Sequence, residues 1–356
     1  MSLPEKRVLR EEKGPNGNVT AIVEDDGRSV YLYLEGDEAS GFGTRAVWVR
    51  NRQKAPWLME VERMQAGQAP MLQARYVADP EGGPPLHPDK LEFLWFEDGE
   101  GVALLEEGDI LSVLPPWSGV KGFAGYARDC VLESPFCEPL GTPETNPLVF
   151  RLLAEAARFW NDWDETTWPK LQERFLTSFR KAFGRERQVY EVGQDRFPPS
   201  LLAQYARDGA HVLVTGGMSI RPQPRIDRSG PEAEPFRRIE LAMAVDAALL
   251  PDPLPLVRWL AGQSTLPWDR YTWLGEGHTI GCSALAPLGF EAVVLVRSPT
   301  GAPPLHLPHV RDQHVELLWA LPITAAEQAA SGGDGARLLA LLREAGAAGW
   351  IARKRG

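Results

Sequence analysis

Cysteine is scarce and odd in number: Cys130, Cys137 and Cys282 are the only three in 356 residues. They make no C-x-x-C pair and have no histidine at metal-ligand spacing, which argues against a zinc ribbon and a disulfide framework. Free thiols in a reducing compartment are the expectation. No stretch approaches the ~18 apolar residues of a membrane span. The opening MSLPEKRVLREEKG carries charges where an export signal needs its apolar run. A cytoplasmic protein with no membrane partner is expected.

Catalytic signatures are missing as well. Without G-x-x-x-x-G-K-[ST] there is no P-loop phosphate cradle. Without G-x-S-x-G there is no strained turn presenting a serine nucleophile. The glycines of VTGGMS at 214–219 follow a strand, as dinucleotide loops do, but Pro222 and Pro224 exclude the helix that such a loop must enter. His211 and His278 stand in functional contexts, yet neither has an acidic residue at a spacing that would orient it. His306 and His309 are three apart, with His314 beyond, but the intervening prolines prevent a regular ligand helix. The expectation is no enzyme, no metal and no cofactor.

What the chain does have is tryptophan and an uneven charge. Twelve tryptophans is a high count for this length; most are expected in the core, and some are left for a contact surface. Residues 1–146 carry 14 Lys+Arg against 25 Asp+Glu, net −11, while 147–356 carry 24 against 23. Such an acidic first part repels nucleic acid; it either keeps the protein soluble or attracts a basic partner.

The hydrophobic period divides the chain. VTAIV at 19–23, an Asp26-Gly27 turn and VYLYL at 30–34 read as a hairpin, followed by a strand at 44–50. Further strands are expected at 91–96, 102–105 and 110–114. The mixed Gly, Pro and aromatic stretch 117–139 reads as an ordered loop packed by its own aromatics. From Leu148 the period becomes helical, through Leu152, Leu153, Ala156, Phe159 and Trp160, and a second helix is expected over 167–183. These two helices, within 147–185, are expected to connect an acidic β-rich domain over 1–146 to a second domain over 186–356.

In that second domain, 199–207 is expected to be a short helix stopped by Asp208-Gly209. Strands are expected at 211–215, 238–245, 290–296 and 314–321, with a helix over 254–262. The strict alternation of Ile239, Leu241, Met243 and Val245 predicts a strand solvated on its other face. Thr324 and Glu327 form a capping box, and Asp334 caps a last helix. The class is α+β: a mostly antiparallel sheet with packed helices, preceded by a smaller β-rich domain.

An ordered series of segments in 186–356 resembles the Suppressor of fused family. It comprises HVLVTGGMS at 211–219, RIELAMAV at 238–245, LPLVRWLA at 254–261, TWLGEGHTI at 272–280, VELLWALPITAAE at 315–327 and WIAR at 350–353. The first part resembles the leader of bacterial members, through WVRN at 48–51, WFED at 95–98 and PPWSG at 115–119. The resemblance implies protein binding. Animal members hold an extended peptide of a transcription factor between two lobes, but no extra C-terminal lobe is expected here, so that mode is not carried over. Bacterial members are proposed to be immunity proteins that neutralise toxins of polymorphic systems, and an acidic leader suits a basic cognate toxin. The alternative is a peptide-binding scaffold or regulator acting by strand addition at a sheet edge. Candidate partner-binding residues are Gly216, Gly217, Met218, Ser219, Trp268, Trp273, Gly277 and His278.

Overall fold

Two Asp-Gly pairs carry the same local instruction and both become hairpin turns. At the first, Gly27 takes φ +78° and the Asp26 carboxylate accepts from the backbone N–H groups of Arg28 (2.9 Å) and Ser29 (2.8 Å). At the second, Asp208 (φ +52°) and Gly209 (φ +76°) join paired residues Arg207 and Ala210 by a two-residue loop. Positive φ at both central positions is the twist-matched hairpin geometry. The expected helix over 199–207 is therefore a strand. Its sequence, SLLAQYAR, has good helix formers, but pairing on both sides and burial of Leu201, Leu202, Ala203 and Tyr205 override that preference.

The structure is a computed structural model and describes residues 6–37, 42–193, 197–268 and 272–354. The chain divides into two units, Met1–Trp163 and Asp164–Gly356. In the first, β1 (Arg7–Lys13), β2 (Val19–Asp25), β3 (Ser29–Gly36) and β4 (Thr44–Asn51) form an antiparallel sheet in that order. The strand β1 was not expected, because an edge strand faced with charges lacks apolar alternation. A short helix, α1 (Val61–Gln65), precedes a second sheet of β5 (Leu91–Trp95), β6 (Val102–Glu106), β7 (Asp109–Leu114), β8 (Tyr126–Ala127) and β9 (Glu138–Pro139). The stretch 117–139 is thus mostly ordered loop, with Phe123 and Tyr126 rings 5.0 Å apart, but it also contributes two short strands.

The helix α2 (Pro147–Asp162) buries Val149, Leu152 and Leu153 in a cluster with Phe96, Ala103, Val113 and Trp117, and the Trp160 indole donates to the Trp95 carbonyl at 2.7 Å. The next helix, α3 (Thr167–Phe183), belongs to the second unit, so the two helices expected to form a connector are divided between the units.

The second unit is built on a seven-stranded sheet. Its strands are β10 (Gln188–Val192), β11 (Ser200–Arg207), β12 (Ala210–Gly216), β13 (Ile239–Asp246), β14 (Thr279–Gly281), β15 (Ala292–Val296) and β16 (Glu316–Ile323). Their spatial order is β10-β11-β12-β13-β16-β15-β14, antiparallel except for the central β13–β16 pair. Neither edge strand, β10 or β14, was expected; both are short. On one face Ile239, Leu241, Met243 and Val245 join a core with Leu256, Val257 and Leu260 of α4 (Leu254–Gly262). The alternate residues Ala242 and Ala244 were expected to meet solvent, yet they are buried. Covering that face, Phe179 of α3 meets Tyr205 at 6.4 Å and Phe183 meets Trp319 at 6.2 Å. The alternation in β13 is large against small, which leaves room for the helix. Two last helices follow: α5 (Ala325–Ser331), with its capping box formed between Thr324 and Glu327, and α6 (Gly335–Glu344), capped by Asp334.

Leu241 is fully buried at the centre of this sheet. Leu241→Ala is expected to cost about 2–5 kcal/mol in urea denaturation; a loss near zero would place this face outside the core.

Candidate functional site

The candidate residues fall into two places on the second unit, joined by buried polar side chains. The first is the turn that leaves β12. Gly216, Gly217, Met218 and Ser219 are all buried, and the turn is closed by one carboxylate. Glu240, fully buried in β13, accepts from Thr215 Oγ1 (2.7 Å), Gly217 N (2.8 Å), Ser219 N (3.0 Å) and Ser219 Oγ (2.6 Å). Burial pushes the carboxyl above the usual carboxylate range, and these donors oppose that push. Gly217 is required by space as well as by φ (+100°): a Cβ there would lie 2.5 Å from the Pro199 carbonyl oxygen and 2.9 Å from the Trp168 ring. The turn is an internal anchor of the domain.

Arg238 extends the anchor. Its buried guanidinium donates to the carbonyls of Ser219 (3.0 Å) and Ile220, and to Gln313 Oε1 (2.6 Å). Downstream, Arg221 lies over the Trp268 ring at 4.8 Å and its carbonyl accepts from the Trp268 indole at 3.4 Å. Trp268 is thus half-buried beside the segment that follows the turn. Gln223 then reaches the second place: it donates to the Phe236 (2.6 Å) and Leu274 (2.9 Å) carbonyls and accepts from Leu274 N (2.7 Å).

The second place is a cleft of about 700 Å³ between the edge strand β14 and helices α5 and α6, lined by Trp273, Gly277, His278, Thr279, Ser331 and Gly335 among others. That volume falls within the ~300–1,000 Å³ usual for binding sites. Trp273 packs on Phe236 (5.6 Å) and on His278 (4.7 Å). His278 Nδ1 is 2.8 Å from the Trp273 carbonyl, so the nitrogen that a carboxylate would orient in a catalytic dyad is held by backbone. At one end a Cβ on Gly335 would overlap the Gly277 carbonyl, which lets α6 start directly on the loop. The structure therefore brings Trp273, Gly277 and His278 together and leaves Trp268 and the glycine turn outside the cleft lining.

The backbone of β14 completes the cleft wall. Leu295 N donates to the His278 carbonyl and Cys282 N to the Glu291 carbonyl. Thr279, Ile280 and Gly281 sit opposite Val294, Val293 and Ala292. Antiparallel alternation then turns the Ile280 amide groups toward β15 and those of Thr279 and Gly281 outward. The Gly281 carbonyl is taken by the Trp259 indole at 3.0 Å. An extended segment laid along this edge would meet the Thr279 N–H and carbonyl and the Gly281 N–H.

His211 on β12 lies away from this cleft, and its Nε2 is buried without a hydrogen bond. The rings of His309 and His314 are 5.9 Å apart, and His314 Nε2 is 3.7 Å from Glu316, which Arg297 already holds at 2.6 Å. Among the described residues there is no group of three or more His, Cys, Asp or Glu that could hold a metal. Nor is any helix among them long and apolar enough to cross a membrane. The three cysteines are buried free thiols.

Sequence reasoning missed Glu240, Arg238, Gln223 and the outward edge of β14. Glu240 gave no signal of its own, because a carboxylate alternating with the apolar residues of β13 reads as solvent-facing until that face is seen to be covered.

Residues 199–355 match the family model described as Suppressor of fused protein (SUFU), a span that covers most of the second unit and none of the first. No curated protein matches the chain.

Replacing Glu240 by Gln leaves buried donors facing an amide N–H₂. The expected loss is on the order of 3 kcal/mol in chemical denaturation. An unchanged midpoint would contradict the anchoring role.

Proposed function

We propose, from the premise that the second unit carries a Suppressor of fused domain and that such a domain is a protein-interaction module, that this chain binds and blocks a cognate bacterial toxin. The observation that carries the reading is the edge of β14, where the outward amides of Thr279 and Gly281 open into a cleft with Trp273 and His278 on its wall. Main-chain pairing supplies affinity for an extended segment and the aromatic wall supplies selection of its side chains. The two expectations raised by the sequence, immunity protein and strand-adding scaffold, then describe the partner and the mode of one event.

The charge of residues 1–146, net −11, favours a basic partner. Opposite charge accelerates encounter and lowers affinity for anionic competitors. Blocking requires only that the complex outlive the toxin's access to its target, so surface complementarity suffices and no covalent step is needed.

Thr279→Pro tests the mode. Proline removes the outward N–H and is tolerated on an edge strand because that N–H pairs with no neighbour in the sheet. Co-expressed with the toxin encoded beside its gene, the wild-type chain is expected to protect cells and co-elute with the toxin. The variant is expected to keep its melting temperature and lose at least about 10-fold in affinity, one hydrogen-bonded anchor in a desolvated edge. Toxicity that persists with wild type, with no complex formed, would overturn the immunity reading. Undiminished binding by the variant would overturn strand addition.

A further inference from the structure

The first unit exposes large apolar side chains in one short stretch. Trp57 is 85% exposed, Leu58 79%, Val61 50% and Met59 38%. Val131 (48%) and Leu132 (54%) are also exposed. The backbone links the two groups: Ala74 N donates to the Pro56 carbonyl at 2.9 Å, and two residues on, the Tyr76 carbonyl accepts from Val131 N at 2.9 Å. A nearly naked tryptophan beside a nearly naked leucine is far from the scattered single apolar residues of an ordinary surface.

This exposure is built into the unit by buried groups. Arg28, itself buried, pairs with Glu60 and donates to Gln68 Oε1 at 2.8 Å and to the Ala69 carbonyl at 3.5 Å. Glu60 also pairs with Arg63 at 3.2 Å. The Tyr31 hydroxyl donates to the Pro70 carbonyl at 2.7 Å, and Asn51 both donates to the Leu72 carbonyl (2.8 Å) and accepts from Leu72 N (3.1 Å). At the start of the excursion, Ala55 N donates to the Pro80 carbonyl at 2.7 Å. The chain on either side of Trp57 and Leu58 is thus fastened, at Ala55 and Pro56 before them and at Glu60 and residues 68–72 after them. A projection held in place loses little conformational freedom on binding, which is how a short apolar motif becomes an affinity anchor.

We propose that residues 57–61 form a docking projection on which Trp57 and Leu58 take the apolar face of an amphipathic helix, rich in Lys and Arg, of a protein partner. Tryptophan and methionine are enriched in interface cores, and tryptophan dominates hot spots. The partner's charge follows from the field of the whole acidic part: residues 1–146 carry net −11, while the cations nearest the projection, Arg63 and Lys54, are held in ion pairs with Glu60 and Glu81. That field disfavours a second copy of this chain and an anionic membrane, and favours a cationic amphipathic surface. The proposal deepens the toxin-binding reading by giving the first unit its own contact, separate from β14.

The test uses the full chain and a fluorescently labelled helical peptide with one Leu face and one Lys face. Wild type is expected to bind it with an affinity that falls as salt rises. Trp57→Ala/Leu58→Ala is expected to bind about 30-fold more weakly, the loss of one aromatic hot spot, at unchanged melting temperature, and Trp57→Phe to recover part of the loss. A Glu/Leu peptide of equal hydrophobicity is expected not to bind. Equal binding by wild type and the double variant, or no binding by wild type, overturns the proposal. So does a wild-type dimer or vesicle binding that the double variant abolishes, since the occupant is then a second copy or a lipid surface. Because the peptide does not require β14, failure here is separate from failure of toxin neutralisation by the wild-type chain.

Discussion

A single buried carboxylate organises the second unit. Glu240 sits in the middle strand of a sheet covered on both faces, where an unpaired charge would be ruinous. It is tolerated because the chain leaving β12 wraps four donors around it, two from backbone and two from hydroxyls. That demand sets the backbone path: Gly217 must take φ +100° and pass within reach of Pro199 and Trp168, where no side chain fits. The glycine-rich turn is therefore a consequence of the carboxylate, and its burial removes it from any contact surface.

From this anchor, position is transmitted by hydrogen bonds that share backbone segments. Arg238, next to Glu240 in sequence, holds the carbonyls of Ser219 and Ile220. Gln223, a few residues on, clamps Leu274 by both its donor and its acceptor. Leu274 lies between Trp273 and the Gly275–His278 loop, so the cleft wall is indexed to the sheet centre. Each link has its partners, and a satisfied buried network rigidifies what it touches. A rigid wall beside an edge strand is what capture of an extended segment requires, because a mobile edge would have to be ordered at the moment of binding.

Much of this was legible in the sequence. Central strands such as β12, β15 and β16 announce themselves by apolar runs, and the capping box at Thr324 and Glu327 by its spacing. The SUFU resemblance over the second unit holds. What was not legible depends on neighbours far away in sequence. The segment 199–207 has helix-forming residues and becomes a strand because β10 and β12 pair with it. The alanines of β13 look solvent-facing until α3 is known to lie across them. The edge strands β10 and β14 are too short and polar to show a period. Of the candidate contact residues, Trp273, Gly277 and His278 share the cleft because they share one loop, whereas Gly216 to Ser219 form a turn that closes around Glu240, a buried partner the local sequence does not reveal.

The proposed capture at β14 comes down to which backbone amides are free and which become covered. Amide hydrogen exchange on the isolated chain and on its complex with the proposed toxin partner measures this directly. Thr279 and Gly281 amides are expected to exchange rapidly alone and to become protected in the complex, with Ile280 protected in both. A complex in which Thr279 and Gly281 exchange as fast as in the free chain would contradict capture at β14.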